Sequence, residues 1–258
     1  MKKFFILCSV AALACGSVSA ESMYTYDLTK DIVIGSVSAG LAVSSLFIDR
    51  AANNASKDDI PSKDSVNAFD RGLMTGYNKP IDLASDFTTY GLLVLPVVSL
   101  AGNFRDAYAW LTYGIMYAES AFLVFGTSEV LKNSIPRYRP YSYYGDAPAG
   151  SDTDYYKSFP SRHTAFAFMS AGFVTATFFT EYPDSKWKIP LSAAAYTLAV
   201  GVGAGRIFSG NHFLSDVLAG AAIGSLYGYL IPWLHERKKQ DGLTLAPLPN
   251  GLIVTCKF

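Results

Sequence analysis

Six long stretches of this chain carry almost no charge and are set apart by polar segments, and no other feature limits the fold as much. They are Ile32–Ile48, Phe87–Phe104, Ala107–Leu131, Thr164–Thr180, Ile189–Gly205 and Val217–Leu234, and only Ala107–Leu131 contains acidic residues, Glu119 and Glu129. Runs of this length exceed an ordinary strand and read as helices. The expected fold is all-α, a bundle of about six core helices embedded in a membrane. Five of the runs are seventeen or eighteen residues long, the short end of the roughly 20 needed to cross a bilayer. Their many Gly, Ala, Ser and Thr residues let helices approach closely in lipid or in a soluble bundle. A mean hydropathy of +0.22 favours the membrane, but length alone leaves both forms open.

The ends of the chain differ from its middle. Residues 1–20 have the make-up of a secretory signal: Lys2 and Lys3, an apolar Phe4–Cys15, and Val18-Ser19-Ala20 ahead of Glu21. The other reading of this stretch is an uncleaved first span. Cleavage would remove Cys8 and Cys15 and leave Cys256 without an intramolecular partner. The domain plan is therefore a signal at 1–20, a helical domain at 21–239 and a tail at 240–258. In the tail, Asn250-Gly251 lies between short apolar runs and predicts a small hairpin. Asn53–Asp70 is polar and predicts a surface loop. A net charge of zero with 16% charged residues excludes the basic surface of a nucleic-acid binder. No obligate protein partner is evident.

The polar residues that interrupt the apolar runs fall in three clusters. The first is Lys132 to Arg139-Pro140, where Pro136 and Pro140 enforce extended backbone after a helix end. Phe159-Pro160-Ser161-Arg162-His163 opens an apolar helix, whose free N–H groups suit a phosphate. The last is Arg206 followed by Asn211-His212 and Asp216. With His212 and Asp216 four apart on a helix, the carboxylate can fix the imidazole tautomer and free the other nitrogen to attack. Asn211 reads as a helix cap. Each cluster alone has an ordinary explanation: a basic flank, a capped helix start, a surface ion pair.

Taken together, Lys-x6-Arg-Pro, Pro-Ser-x-His and Arg-x5-His-x3-Asp resemble the type 2 phosphatidic acid phosphatase superfamily. That superfamily also holds the soluble bacterial class A acid phosphatases and the vanadium haloperoxidases. The resemblance covers about a third of the chain. It implies metal-independent, cofactor-free hydrolysis of a phosphomonoester through a phosphohistidine. His212 would be the nucleophile, Asp216 its orienting partner and His163 the acid and then base. Lys132, Arg139, Arg206 and Ser161 would hold the phosphoryl oxygens. Arg162 stands where the family has glycine, and would supply a backbone N–H, add a cation or crowd the pocket. Gly205 replaces a serine.

The function this implies is an envelope phosphatase acting on a lipid phosphate at the periplasmic face of the inner membrane. A soluble periplasmic acid phosphatase is the alternative; a haloperoxidase and a non-enzymatic envelope protein rank lower. Orientation contains a conflict. A cytoplasmic His235–Lys239 puts the clusters outside if the last three runs all span, yet counting back places the start of Ile32–Ile48 inside, where a cleaved signal would not leave it. Tyr138–Tyr156, with six tyrosines and Asp146, Asp152 and Asp154, reads either as a lipid-facing lid or as a loop packed on helix ends. Glu119 has no assigned role.

Overall fold

The computed structural model describes residues 22–51, 60–100, 107–148, 154–237, 243–248 and 251–256. The expected leader, residues 52–59 of the expected loop, Asp152 and the Asn250 turn position lie outside the described residues. Among these, seven α-helices are present: α1 Leu28–Ala51, α2 Ala68–Arg71, α3 Lys79–Leu100, α4 Ala107–Ser134, α5 Arg162–Glu181, α6 Lys188–Phe208 and α7 Leu214–His235. Six are long and correspond to the six apolar runs. The tail forms an antiparallel hairpin, β1 Leu243–Leu248 and β2 Gly251–Cys256, with Leu248 opposite Gly251.

One helix begins well before its apolar run. α3 starts at Lys79 rather than Phe87, because Pro80 needs no N–H partner in a first turn and Asp82 favours the positive helix start. This early start matters, since it adds Asp82, Ser85 and Asp86 to the inner face of the bundle.

The exterior decides between lipid and water. α1, α3, α6 and α7 are each long and apolar enough to cross a membrane, and only 11% of the α1 window is buried within the protein. Ile32, Val37, Leu46, Phe47, Phe87, Val94, Ile189, Val200, Leu218 and Trp233 are all exposed. An apolar belt of this extent is unstable in water and stable in lipid. The chain is a membrane protein. Its interior is lined instead by small and polar residues such as Ser120, Ser128, Thr164, Ala167, Ala171 and Ala199.

Helix α5 lies at the centre, packed on α7, α6, α3 and α4, while α1 packs along α4. The α5–α7 contact is backbone to backbone. Gly220, Gly224 and Gly228 recur every four residues and so share one face of α7. A Cβ at these positions would lie 2.4 Å from Ser161 O, 2.0 Å from Ala165 O and 2.5 Å from Met169 O. No side chain fits there.

Both ends of the described bundle lie on one face. Tyr24 bridges Glu236 in antiparallel fashion, and Thr25 N–H donates to His235 O at 3.0 Å. α1 therefore starts where α7 ends, and the three sequence clusters gather at the opposite end.

Gly224→Ala should destabilise the protein by about 1–3 kcal/mol through overpacking, read as a lower melting temperature in detergent. Gly201→Ala, whose Cβ meets nothing within 4 Å, should leave it unchanged or slightly raised.

Candidate active site

The site is assembled from helix ends. The C-terminal turn of α4 carries Lys132, an extended strand-like segment carries Arg137 and Arg139, the first turn of α5 carries His163, and the last turn of α6 carries Arg206. Arg137 and Arg139 are held extended because their N–H groups donate to Tyr156 O at 2.8 Å and Tyr155 O at 2.7 Å. Between α6 and α7, Gly210 adopts φ of 75°, a conformation that favours glycine. A Cβ there would also strike Gly76 O at 2.4 Å. This turn sends Asn211 and His212 back into the bundle.

His212 is 2% exposed. Arg139 Nη1 lies 3.2 Å from its Nε2. A guanidinium only donates, so Nε2 carries a lone pair and the ring proton resides on Nδ1. Nδ1 makes no hydrogen bond and faces Asp216 Oδ2 at 3.7 Å. Burial, and then the charges of Arg139, Lys132, Arg206 and His163, push His212 below the usual imidazole range. The ring is neutral at pH 7, with its Nε2 lone pair facing the Arg139 guanidinium.

His212 does not share a helix with Asp216, as the spacing suggested. The helix begins at Leu214, and Asp216 sits in its first turn, where Oδ2 accepts the Phe213 N–H at 2.9 Å. Asn211 does not cap α7 either; its amide donates to Asp82 Oδ1 at 2.9 Å. Asp216 is fully buried and heavily committed. Ser158 Oγ donates to Oδ2 at 2.6 Å and Arg137 Nη1 to Oδ1 at 2.5 Å. Arg137 also reaches Asp70 at 2.7 Å through Nη2 and lies over the Phe213 ring. Asp70 in turn receives the Ser215 N–H and hydroxyl at 2.9 and 2.8 Å.

The three expected phosphate cations are buried: Lys132 5%, Arg139 5% and Arg206 4% exposed. Each has at least one donor on a protein acceptor, though Arg206 Nε has none. Lys132 Nζ donates to Lys157 O at 2.7 Å. Arg139 pairs with Asp154 at 2.6 Å. Arg206 Nη1 contacts Asp82 Oδ1 at 2.5 Å and Asp86 Oδ1 at 2.9 Å. Asp86 also lies 3.2 Å from His163 Nε2, so one carboxylate links the second imidazole to the third cation. His163 is pushed below its usual range by burial and by Arg206, Arg162, Arg139 and Lys132, in that order.

Ser161 precedes α5 and shares a 2.9 Å hydrogen bond with Thr164, its own N–H donating to Asp216 O at 3.0 Å. The Arg162 side chain pairs with Glu129 of α4 and lies over Phe125. The structure thus brings Lys132, Arg139, Ser161, His163, Arg206, His212 and Asp216 to one end of the bundle and turns the Arg162 guanidinium toward α4. Asp82, Asp86, Asp70, Arg137 and Ser158 were not foreseen from the sequence. The i,i+4 pair Asp82/Asp86 was a legible signal once Lys79-Pro80 is taken as a helix start. The tyrosines of the loop pack inward: Tyr141, Tyr155 and Tyr156 form a buried cluster with Tyr77 and Tyr138 against it, which supports the packed loop over a lid. An apolar cavity of about 690 Å³ beside Phe179, Tyr229 and Trp233 lies at the other end of α5 and α7, far from His163 and His212.

The PAP2 superfamily pattern matches residues 109–240. Lipid A 1-phosphatase of Porphyromonas gingivalis is 44% identical over 80 residues, 31% of this chain and 16% of that protein, so the match spans a small part of that relative's length. Phosphatidylglycerophosphatase B of Bacillus subtilis is 33% identical over 154 residues, 58% of this chain and 70% of that protein. Among solved structures, a transmembrane PAP2 type phosphatidylglycerolphosphate phosphatase from Bacillus subtilis aligns with a TM-score of 0.47 and 24% identity, over 79% of this chain and 98% of that one. Aquifex aeolicus LpxE aligns at 0.41 and 23%, over 62% and 90%.

Two outcomes are expected from this geometry. Arg137→Gln leaves two buried carboxylates uncompensated and should cost about 3–5 kcal/mol. Arg71→Gln, which breaks an exposed pair with Asp64, should move the melting temperature little. Both imidazoles have folded-state pKa values below that of the free ring, so the unfolded chain takes up protons first as pH falls. Their contribution is full above about pH 6.5 and declines below it. Melting temperature should drop between pH 7 and 5.5, and His212→Asn should make that drop shallower.

Proposed function

The chain belongs to the PAP2 superfamily, and from that premise we propose that it is a phosphatase that hydrolyses a lipid phosphomonoester through a covalent phosphohistidine, without a metal at the reacting centre. The observation that carries the reading is the neutral His212, its Nε2 lone pair facing Arg139, with buried Lys132 and Arg206 close enough to act on its charge.

The chemistry follows from those positions. His212 Nε2 attacks phosphorus and the bond from phosphorus to the lipid oxygen breaks. The His163 imidazolium gives its proton to the departing alkoxide, which leaves as an alcohol. His163, now neutral, removes a proton from water, whose oxygen attacks the phosphohistidine and releases inorganic phosphate. The proton returns to His163 and the lone pair to His212. The transferring group carries its charge on three oxygens, and positioned cations stabilise that charge far more in a dry site than in water. Lys132, Arg139 and Arg206 fill this role, with Ser161 and the first N–H groups of α5 beside them. His163 needs its proton when substrate is bound, yet burial first and then the cations disfavour it in the free protein. A phosphate dianion neutralises those cations and so raises His163 toward the working range. Asp86, at 3.2 Å, is placed to orient the same ring, and Asp216 to stabilise the positive charge that forms on His212.

A lipid substrate is supported by the apolar belt around the bundle and by the names of the two curated relatives, one acting on lipid A and one on phosphatidylglycerophosphate. We also infer that the clusters face the periplasm. The Tyr24–Glu236 bridge joins the start of α1 to the end of α7, so both would then lie on the cytoplasmic side, where the basic Arg237 suits the positive-inside tendency. An exported, cleaved leader would require the opposite orientation, so the two expectations exclude each other.

The decisive experiment is phosphate release by the purified protein in detergent and chelator, from lipid A, phosphatidylglycerophosphate and phosphatidate against soluble monoesters. Activity on at least one lipid without added metal is expected, and metal dependence or silence on all lipids would overturn the reading. His212→Ala should lower kcat by roughly 10³-fold or more. His163→Ala should lower it by about 10²–10⁴-fold on lipids and far less on p-nitrophenyl phosphate, whose leaving group needs no proton.

A further inference from the structure

The bundle contains a second polar cluster that the reaction does not use. Asp31 in the first turn of α1, Glu119 in the middle of α4 and His235 at the end of α7 converge at the end opposite the phosphate site. About 30 Å of helix α7 separates His235 from Asp216. Each of the three offers one ligand atom, and these atoms lie within 4.8 Å of one another. His235 is fully buried and Glu119 is 7% exposed.

Hydrogen-bond accounting shows what the cluster lacks. His235 Nδ1 lies 2.9 Å from Ile231 O. A carbonyl only accepts, so Nδ1 carries a proton, and Nε2 is the ring nitrogen that faces the two carboxylates. Nε2 lies 2.7 Å from Asp31 Oδ1 and 3.6 Å from Glu119 Oε2. Neither oxygen of Glu119 receives a hydrogen bond. Among the described residues no Lys or Arg forms an ion pair with any of the three; Lys30, the nearest in sequence, pairs with Asp27 and donates to Leu234 O. Two carboxylates thus share one buried point with a single imidazole nitrogen, and Glu119 is left without a hydrogen bond. Unpaired buried charge of this kind is costly, and a cation at the centre relieves it.

We propose that Asp31, Glu119 and His235 form a structural site for a divalent first-row transition ion of the zinc type. One nitrogen and two carboxylate oxygens suit that class. An imidazole that donates its far N–H to a backbone carbonyl is the usual arrangement around a metal-ligating histidine. The three ligands come from α1, α4 and α7, so the ion fastens α1, the least buried of the long helices, to the rest of the bundle. This site is independent of the phosphatase chemistry and does not touch it.

The test uses the full chain in detergent, with any affinity tag removed, stripped by chelator and then exposed to micromolar Zn²⁺. The wild type should retain about one Zn²⁺ per chain after desalting and melt at a higher temperature than the stripped protein. Glu119→Gln and Asp31→Asn should lose both effects, whereas His163→Ala should keep them, which separates this site from the phosphate-site imidazole. Phosphate release by Glu119→Gln in chelator reports whether that variant is folded. Should the variants not fold, X-ray absorption at the zinc edge of the wild type decides, with nitrogen and oxygen donors and no sulfur expected. No retained zinc and an unmoved melting temperature in the wild type would overturn the proposal and leave a shared proton as the only cation. Retention that survives Glu119→Gln would overturn it equally.

Discussion

The bare contact between α5 and α7 is the constraint on which the rest of the molecule depends. In lipid there is little hydrophobic drive between helices, so association relies on close packing and on polar contacts. Three glycines on one face of α7 let the two backbones meet at distances no side chain would allow. That approach brings the start of α5, with Ser161 and His163, beside the start of α7, with Asp216. The Ser161 N–H bonds directly to the Asp216 carbonyl. One added methyl group would therefore move an imidazole as well as loosen a helix pair.

Around this seam the protein balances charge locally. Arg139 and Arg206 pair with one carboxylate on the tyrosine loop and two on α3, while Lys132 rests on a backbone carbonyl. Breaking a buried pair costs more than forming it gains, so the free site is held together by contacts that a phosphate must take over. Arg137 stands apart. Its guanidinium spans Asp70 and Asp216 and ties the floor of the site to α2 rather than to substrate.

The sequence disclosed the helices and the three clusters because both are local signals. Apolar runs are contiguous, and His163, His212, Arg139 and Arg206 sit in short recognisable strings. The misses share a physical cause. Asp82 and Asp86 lie ahead of an apolar run, in helical turns that a charge-free window cannot detect. Arg137 stood within the first cluster, but its partners Asp70 and Asp216 are 67 and 79 residues away. Asn211 looked like a cap because caps are read from neighbours, while its actual partner is on α3. The pairing of Asp31 with His235 spans 204 residues and exists only once the helices have closed.

The join between Tyr24 and Glu236 has a consequence for how the polypeptide is threaded. Among the described residues the backbone enters α1 beside the point where it leaves α7, so the helices form a circuit. A short linker across that join, with new ends opened between α6 and the loop before it, would give a permuted protein with every helix keeping its neighbours. Chain order would change while the arrangement in space stayed the same.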